Sequence, residues 1–299
     1  MSYRTLLLIV LLAPALLLGG AAAMGVTIQV PHWGREYVLR FVVEADAVPL
    51  ELPEVAGPAD PARPLVVIDA GHGGRDPGAI GTDQQGRTIS EKDITLAIAT
   101  ALRDELLRAG TIRVAMTRAD DRIVPLGYRA EIARLLDADL FVSIHADSSG
   151  ERDDVSGASI YTLSDAASSE AAARFAAREN DADRLNGIVM DGTSEAVSAI
   201  LVELSQQRTQ EDALEFAGLV EREGAATLAF VPQPRRSAAL AVLRAPDVPS
   251  VLFESGFVTN RADRARLTTA DGRGQYAAVL ARAIRVFFAR RTGAGRDGE

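Results

Sequence analysis

Short apolar runs alternate with amphipathic segments along most of this chain, and this alternation limits its possible folds more than any other feature. Leu65–Ile68 is a continuous apolar run rich in β-branched residues, and Leu140–Ile144 is apolar except for Ser143. Such runs are typical of strands that are buried on both faces of a parallel sheet. Between them, Glu91–Ala109 has apolar residues at helical spacing and is followed by Gly110, a typical residue after a helix end. The pattern predicts an α/β fold.

The same pattern continues towards the C-terminus. We predict further strands at Thr111–Met116, Gly157–Leu163 and Val251–Phe253, and further helices at Tyr128–Leu136 and Gln275–Phe288. The expected architecture is a single mixed, mainly parallel sheet with helices on both faces. We expect this main domain to span residues 64–290, followed by a disordered tail at 291–299.

A segment rich in Ala, Glu and Arg separates the predicted strand at 157–163 from the late strand. We interpret residues 165–237 as a helical insertion with a possible regulatory role. Its predicted helices are Ala166–Arg178, Ala196–Leu204 and Ala213–Ala225.

The N-terminus has the layout of a secretory signal peptide. Arg4 precedes the apolar run Leu6–Leu18, and the small residues Gly19–Ala23 follow it. The run is short for a membrane span of about 20 residues, so an uncleaved anchor is the less favoured alternative. We therefore predict a signal peptide at 1–23, secretion across the inner membrane and a periplasmic location.

The next residues, 24–63, are interpreted as a short N-terminal segment and linker. They contain a strand-like stretch, Tyr37–Val43, and a Pro-rich linker, Gly57–Pro64. The segment is too short to bury much of a core by itself. It also holds His32, which we interpret as structural or exposed because it lies outside the main domain.

Composition excludes several kinds of site. The chain has no cysteine, which excludes disulfide scaffolds, thiol nucleophiles and thiolate zinc sites. Its formal net charge is −9 and no basic stripe stands out, so we expect no nucleic-acid partner. Any metal must be bound by His, Asp or Glu.

Polar residues mark the ends of three predicted strands. His72 follows the first strand in a glycine-rich stretch, His145 ends the strand at 140–144, and Glu254 ends the late strand. Glu91 begins the first helix. In α/β sheets, ligands collect beyond the carboxyl ends of the strands, so these four side chains are expected to converge. Two imidazoles and a carboxylate are a suitable ligand set for zinc and leave a position open for water.

Each of these residues alone has a simpler interpretation. The glycine-rich stretch around His72 could bind an anion through its backbone. His145 could be a hydrogen-bonded structural histidine, and Glu254 a buried ion-pair partner. Glu91 is a typical acidic residue of a first helical turn. Their coincidence at one sheet edge is what favours a functional site.

A series of motifs in this order resembles the N-acetylmuramoyl-L-alanine amidase family of division amidases. The matching motifs are Asp69–Gly74, Asp76–Ala79, Glu91–Asp93, Ser143–Ala146 and Glu254–Asn260. The resemblance runs from about Pro64 to Arg290. It implies a zinc hydrolase that cleaves the amide between N-acetylmuramic acid and L-alanine in peptidoglycan, in cell separation or wall remodelling.

The resemblance also implies roles for individual residues. The family's metal ligands match His72, Glu91 and His145, with Zn²⁺ as the cofactor, and its catalytic glutamate matches Glu254. Zinc lowers the pKa of bound water towards about 7, and a nearby glutamate can accept the proton and deliver it to the leaving nitrogen. Asp69 or another acceptor is expected to orient His72.

Division amidases carry a helical insertion that can cover the site and be displaced by an activator. We therefore take Glu179 as the candidate autoinhibitory carboxylate and Glu203 as a weaker one, although most glutamates on such helices simply face solvent. The expected partners are peptidoglycan and an activator protein of the LytM-domain type. We expect a monomer.

Other functions stay open at this point. A peptidase or deacetylase could use the same zinc chemistry, and a non-catalytic wall-binding protein could share the scaffold. A periplasmic anion-binding module would hold no metal. Ser255 suggests a serine hydrolase, but Glu-Ser-Gly-Phe lacks the Gly-x-Ser-x-Gly elbow of such enzymes.

Overall fold

A computed structural model describes residues 51–83, 86–148, 150, 154–182 and 199–294. The predicted signal peptide, His32 and the strand-like stretch Tyr37–Val43 lie outside these residues. No helix within the described ranges is both long and apolar enough to cross a membrane.

The described residues form eight strands and six α-helices. The strands are β1 (Leu65–Ala70), β2 (Ile80–Thr82), β3 (Thr88–Ser90), β4 (Arg113–Met116), β5 (Leu140–His145), β6 (Ala158–Leu163), β7 (Phe230–Ala238) and β8 (Ser250–Glu254). The helices are α1 (Glu91–Ala109), α2 (Leu126–Leu135), α3 (Glu170–Asn180), α4 (Ala199–Gly224), α5 (Arg261–Leu267) and α6 (Ala270–Ala294), with a 3-10 turn at Ala241–Leu243.

Six strands form one sheet in the order β4-β1-β5-β8-β6-β7, and β2 pairs with β3 in a separate hairpin. Strands β4, β1, β5 and β8 are parallel, whereas β6 is antiparallel to β8 and parallel to β7. The prediction of a mixed, mainly parallel sheet is confirmed. This topology brings the carboxyl ends of β1, β5 and β8 to one edge.

Helices cover both faces of the sheet, as predicted. Alternate residues of a strand point to opposite faces, so Val66 and Ile68 of β1 pack with α1, α4 and α6, whereas Leu65 and Val67 pack with α2 and α3. Helix α1 has the predicted bounds and ends at Gly110, whose φ of 67° is in the left-handed region.

The segment 165–237 is not helical throughout, which corrects the sequence interpretation. Strand β7 lies within it and forms an edge of the sheet. Pro232 and Pro234 interrupt the apolar pattern of β7, and proline is tolerated in an edge strand. From Ala199 onward the two predicted helices at 196–204 and 213–225 belong to a single helix, α4, which ends at Gly224; 196–198 lie outside the described residues. Its Phe216 and Val220 are fully buried in the core.

The structure shows how the segments at both ends of the predicted main domain are placed. Ala56 pairs with Val114 through two backbone hydrogen bonds of 2.8 and 2.9 Å, and Arg113 Nε donates to the Arg63 carbonyl. The linker therefore covers part of the exposed edge of β4. At the other end, α6 continues to Ala294, so the predicted tail at 291–299 begins inside a helix; 295–299 lie outside the described residues.

Candidate metal and catalytic site

The loop after β1 has a backbone shape that requires its glycines. His72 has a φ of 61°, which is uncommon for a non-glycine residue, and Gly73 has a φ of 128°. A Cβ on Gly73 would lie 2.4 Å from the carbonyl oxygen of Arg122. The stretch Gly-His-Gly-Gly therefore folds into a tight turn that buries the His72 side chain.

The ring of His72 is oriented by a carboxylate. Nδ1 lies 2.8 Å from Asp76 Oδ2, which leaves Nε2 free to face the centre of the site. The acceptor is therefore Asp76 and not Asp69. Asp69 lies in β1 in register with Ser143, and its carboxylate accepts hydrogen bonds from the hydroxyls of Ser143 and Thr117 instead.

Glu91, the first residue of α1, joins the two histidines. Its Oε1 lies 3.0 Å from His72 Nε2 and 3.1 Å from His145 Nδ1. The same carboxylate accepts hydrogen bonds of 2.8 Å from the backbone N–H groups of Ala79 and Ala146. Glu91 is therefore fixed from two sides, by the loop before α1 and by the end of β5.

His145 ends β5 and packs closely on the loop that carries His72. The two imidazole rings are 4.8 Å apart between centroids, with their planes at 73°. A Cβ on Gly71 would lie 2.5 Å from the His145 ring, so only glycine fits there. We refer to His72, Glu91 and His145 as the strand-end cluster.

Glu179, in the last turn of α3, reaches the same centre. Its buried Oε2 lies 3.5 Å from His72 Nε2 and 3.3 Å from His145 Nδ1. The ligand atoms of these three residues all lie within 4.8 Å of one another. Glu203, the weaker candidate, lies in a part of α4 whose side chains are outside the described structure.

These spacings suit a zinc ion. Ligand atoms of a tetrahedral zinc at about 2.0–2.2 Å lie roughly 3.3–3.5 Å from one another, and the four distances from the carboxylates of Glu91 and Glu179 to the two imidazoles are 3.0–3.5 Å. His72 Nε2 and Glu179 Oε2 are buried without a hydrogen-bond partner. Because unpaired buried polar atoms are costly, a cation at this centre would satisfy both.

The pKa values of the two histidines also favour a cation at this centre. Burial lowers the pKa of His72, but the carboxylates of Glu91, Asp76 and Glu179 outweigh it and raise that pKa to about 10. Burial also lowers the pKa of His145, and Glu179 and Glu91 raise it to about 10. In the protein alone, imidazole protons balance the carboxylates. A divalent cation supplies the same positive charge and displaces those protons.

Glu254 lies beside the strand-end cluster. It is the last residue of β8, in register with His145 on β5, so the two side chains leave the sheet on the same face. Its Oε2 accepts a 2.9 Å hydrogen bond from the Asp147 N–H, whereas its buried Oε1 has no partner. Burial, together with the charges of Asp147, Glu91 and Glu179, raises the pKa of Glu254 well above its usual value. Carboxyl groups with a pKa shifted in this way are typical of residues that exchange protons in active sites.

Comparison with known proteins assigns the chain to a family. A family model described as N-acetylmuramoyl-L-alanine amidase matches residues 66–286, which is most of the chain. The chain belongs to the N-acetylmuramoyl-L-alanine amidase family. A curated relative, AmiC of Escherichia coli O6:H1, is 34% identical over 248 residues, covering 83% of this chain and 58% of AmiC. AmiA of Escherichia coli K12 is 36% identical over 225 residues, covering 75% of this chain and 76% of AmiA.

A solved structure agrees with this assignment. N-acetylmuramoyl-L-alanine amidase AmiC2 of Nostoc punctiforme superposes with a TM-score of 0.53 and 29% sequence identity, covering 76% of this chain and 97% of AmiC2. The chain spans little more than half the length of Escherichia coli AmiC, so that relative is considerably longer.

In this member of the amidase family, the end of α3 closes over the site through three consecutive residues. Arg178 contacts the Asp147 carboxylate, and Glu179 contacts both imidazoles of the strand-end cluster. The Asn180 side chain donates to the Ala239 carbonyl at 2.9 Å and accepts from the Ala241 N–H at 2.8 Å. We refer to residues 178–180 as the closing turn.

The closing turn leaves little room for a substrate. A cavity beside the cluster has a volume of about 10 Å³ available to the centre of a water molecule, enough for roughly one water. His72, His145 and Glu179 contribute to its wall.

The sequence analysis missed several residues that shape this site. Asp76 follows His72 by four positions and was noted only as part of a motif. Asp147 lies two residues after His145, and Arg178 and Asn180 flank Glu179. Proximity to a candidate ligand in the sequence is a signal that could have identified all four.

Proposed function

We propose that this chain is a zinc-dependent hydrolase that cleaves the amide bond between N-acetylmuramic acid and L-alanine in peptidoglycan. The observation that carries the proposal is the strand-end cluster, in which two imidazoles and a carboxylate surround one point beside Glu254. Family membership supports the choice of this amide over other amides.

Three side chains would hold the metal: His72 through Nε2, His145 through Nδ1, and Glu91. Asp76 fixes the ring of His72, and the backbone bonds of Glu91 fix its carboxylate. When bound, zinc polarises the scissile carbonyl and makes water a stronger acid.

Glu254 would act as the general base and then as the general acid. Its Oε1 is unpaired and available to accept a proton from the attacking water. Its raised pKa favours uptake of that proton, which Glu254 would then deliver to the amide nitrogen of the departing L-alanine. The Asp147 N–H holds Oε2, so the carboxylate keeps its orientation during both transfers.

The identity of the products tests this function. Purified sacculi digested with the protein should release stem peptides that begin with a free L-alanine amino group, detectable by mass spectrometry. A peptidase would instead release fragments cut within the stem, and a deacetylase would release acetate. A wall-binding or anion-binding protein would release nothing, even after zinc is added.

Metal analysis tests the cofactor separately. We expect about one zinc per chain in the purified protein. Removal of the metal with a chelator should abolish digestion, and added zinc should restore it. Full activity in a protein shown to be free of metal would contradict the zinc proposal.

We further propose that Glu179 is an autoinhibitory carboxylate. Its Oε2 lies 3.3–3.5 Å from both imidazole nitrogens, which suits a fourth ligand that completes the tetrahedron. In that position it would exclude the attacking water and the substrate carbonyl. The closing turn would then have to leave before catalysis, and an activator of the LytM-domain type is the partner we propose for that step.

Export and cell separation belong to the same proposal. The pattern at residues 1–23 supports secretion across the inner membrane, and peptidoglycan is accessible from the periplasm. Cell fractionation would test the location. Chains of unseparated cells in a strain that lacks the protein would support a role in cell separation, and a monomer is the state we expect in solution.

A further inference from the structure

A buried arginine lies beneath the loop that carries His72. Arg129 of α2 is only 4% exposed. Its Nη1 forms a 2.8 Å ion pair with Asp69 and also donates to the Ala70 carbonyl at 2.8 Å. Its Nη2 donates to the His72 carbonyl at 2.8 Å, and its Nε donates to the Val124 carbonyl at 3.0 Å. Burial of a guanidinium is costly unless it is paired and hydrogen-bonded, and here each of its nitrogens has a partner.

Asp69, the ion-pair partner of this arginine, is itself held in place by two hydrogen bonds. One carboxylate oxygen accepts from Thr117 Oγ1 at 2.6 Å and the other accepts from Ser143 Oγ at 2.7 Å. Asp69 lies in β1, Thr117 follows β4, and Ser143 lies in β5, so the carboxylate joins three neighbouring strands near their carboxyl ends. Burial raises the pKa of Asp69, but Arg129 and the two hydroxyls outweigh it, so the net pKa is lowered and the pair is ionised.

The backbone of His72 needs such support. Its φ of 61° is unfavourable for a residue with a side chain, and such conformations persist only where the surroundings hold them. Arg129 binds the carbonyl of this same residue, and Asp76 binds its ring. His72 is therefore held at two points, its backbone by Arg129 and its imidazole by Asp76.

We propose that Arg129 is a positioning residue for the metal site, which fixes the His72 backbone so that Nε2 points to the metal position. The inference rests on the proposed zinc site at the strand-end cluster. A planar guanidinium has several N–H donors in a fixed arrangement, so it can bind the Asp69 carboxylate and the carbonyls of Ala70 and His72 together. A lysine ammonium does not have this arrangement of donors and cannot replace it.

The test compares the full-length proteins Arg129→Lys and Ser250→Ala with the wild type. Arg129→Lys keeps a positive charge for Asp69 but loses the planar set of donors. Ser250→Ala is the control, because it removes a buried side-chain hydrogen bond, to the Val248 carbonyl at the start of β8, without touching Asp69, Arg129 or the His72 loop. Each protein is freed of metal, its fold is checked by circular dichroism, and its affinity for Zn²⁺ is measured by competition with a chromogenic chelator. The visible absorption of the Co²⁺-loaded protein reports the coordination geometry.

We expect Arg129→Lys to lose roughly 10–100-fold in zinc affinity and to change the Co²⁺ spectrum, as is typical when a partner of a ligand is removed. Ser250→Ala should lower the unfolding temperature while it keeps the zinc affinity and the Co²⁺ spectrum of the wild type. A purely structural role for Arg129 would affect unfolding alone.

A second variant covers the case in which Arg129→Lys does not fold. The double variant Asp69→Asn with Arg129→Gln removes both buried charges together, which is usually tolerated far better than leaving one charge unpaired. It should show the same loss of zinc affinity. Wild-type affinity and spectrum in a folded Arg129 variant would overturn the positioning role while the zinc site stands. A wild-type protein that binds no zinc would overturn the metal site itself, and this inference with it.

Discussion

The strand-end cluster and the closing turn meet at the proposed metal site, but they are held there in different ways. The strand-end cluster is fixed by buried bonds, since Glu91 accepts two backbone hydrogen bonds and His72 is held by Asp76 and Arg129. In the closing turn Glu179 is buried, but the flanking contacts of Arg178 and Asn180 lie at the protein surface, and the side chain of Arg178 is 52% exposed. The difference suggests that the first region is preorganised for metal and the second can leave.

The energies of the contacts support this comparison. The anchors of α3 are the stacking of Phe175 on Tyr161 at 4.5 Å, the two hydrogen bonds of Asn180, and the Arg178–Asp147 ion pair. Stacking contributes about 0.5–1.5 kcal/mol, each hydrogen bond about the same, and an exposed ion pair about 0–1 kcal/mol. Together these anchors contribute a few kcal/mol, and the buried contacts of Glu179 with His72 and His145 add to them. The strand-end cluster, in contrast, has no exposed anchor and cannot be disturbed without unpairing buried charges.

The largest effect is expected from the preorganised region, at Glu254. Glu254→Gln should lower turnover on sacculi by roughly 10²-fold or more, because the amide cannot carry the proton between water and leaving group. Zinc content should stay at about one per chain, because Glu254 is not a proposed ligand. Turnover is measured by release of labelled stem peptides, and zinc by atomic absorption.

Ser255→Ala is the matched control for this variant. Ser255 is the next residue, equally buried, and donates to the His145 carbonyl. The Ser255 variant should keep most of the turnover. Should Ser255→Ala lose as much turnover as Glu254→Gln, the serine-hydrolase alternative would replace the proposed mechanism.

The next effect concerns the closing turn and has the opposite sign. Glu179→Ala should raise basal activity on sacculi by about 5–30-fold, which corresponds to removal of about 1–2 kcal/mol from the closed state. Glu170→Ala, an exposed glutamate at the start of the same helix, serves as the control and should leave activity unchanged. Equal basal activity in the Glu179 variant and the wild type would remove the autoinhibitory role and leave catalysis unaffected.

Asn180 tests whether the whole turn, and not only Glu179, keeps the site closed. Asn180→Ala removes the two hydrogen bonds to the backbone at 239 and 241 and should raise basal activity by about 2–10-fold, from roughly 1 kcal/mol of lost anchoring. Glu179 is still present in this variant, so some inhibition should remain. Because the basal activity is already raised, an activator should stimulate the variant less than the wild type. Wild-type basal activity would mean that these bonds do not restrain the helix.

Three residues of the site could be predicted from the sequence because they stand at the ends of buried strands. A parallel sheet places such ends together whatever the details of packing, and this is why His72, His145 and Glu254 were found without a structure. Glu91 was found because a helix begins there. Strand β7 was missed because an edge strand with two prolines lacks the apolar signal of the central strands.

The contacts within the closing turn depend on tertiary packing. Glu179 was selected from many glutamates by resemblance to a family, and its approach to both imidazoles follows from how Phe175 seats α3 on Tyr161. Proximity to Glu179 and His145 in the sequence marks Arg178, Asn180 and Asp147 as candidates, but it does not predict that Asn180 binds the backbone after β7 or that Arg178 pairs with Asp147. Long-range contacts of this kind appear only once the chain is folded.

The smallest effect is expected at Arg178. Its ion pair with Asp147 is exposed on the arginine side, so it contributes about 0–1 kcal/mol and is screened by salt. Arg178→Gln should raise basal activity by about 2–5-fold at low ionic strength. Addition of salt should raise the basal activity of the wild type towards that of the variant and leave the variant nearly constant. Arg174→Gln, which changes a more exposed arginine on the same helix, should keep the salt response of the wild type. A salt response that persists in Arg178→Gln would show that screening acts elsewhere, and that the two hydrogen bonds of Asn180 and the stacking of Phe175 hold the closing turn without help from charge.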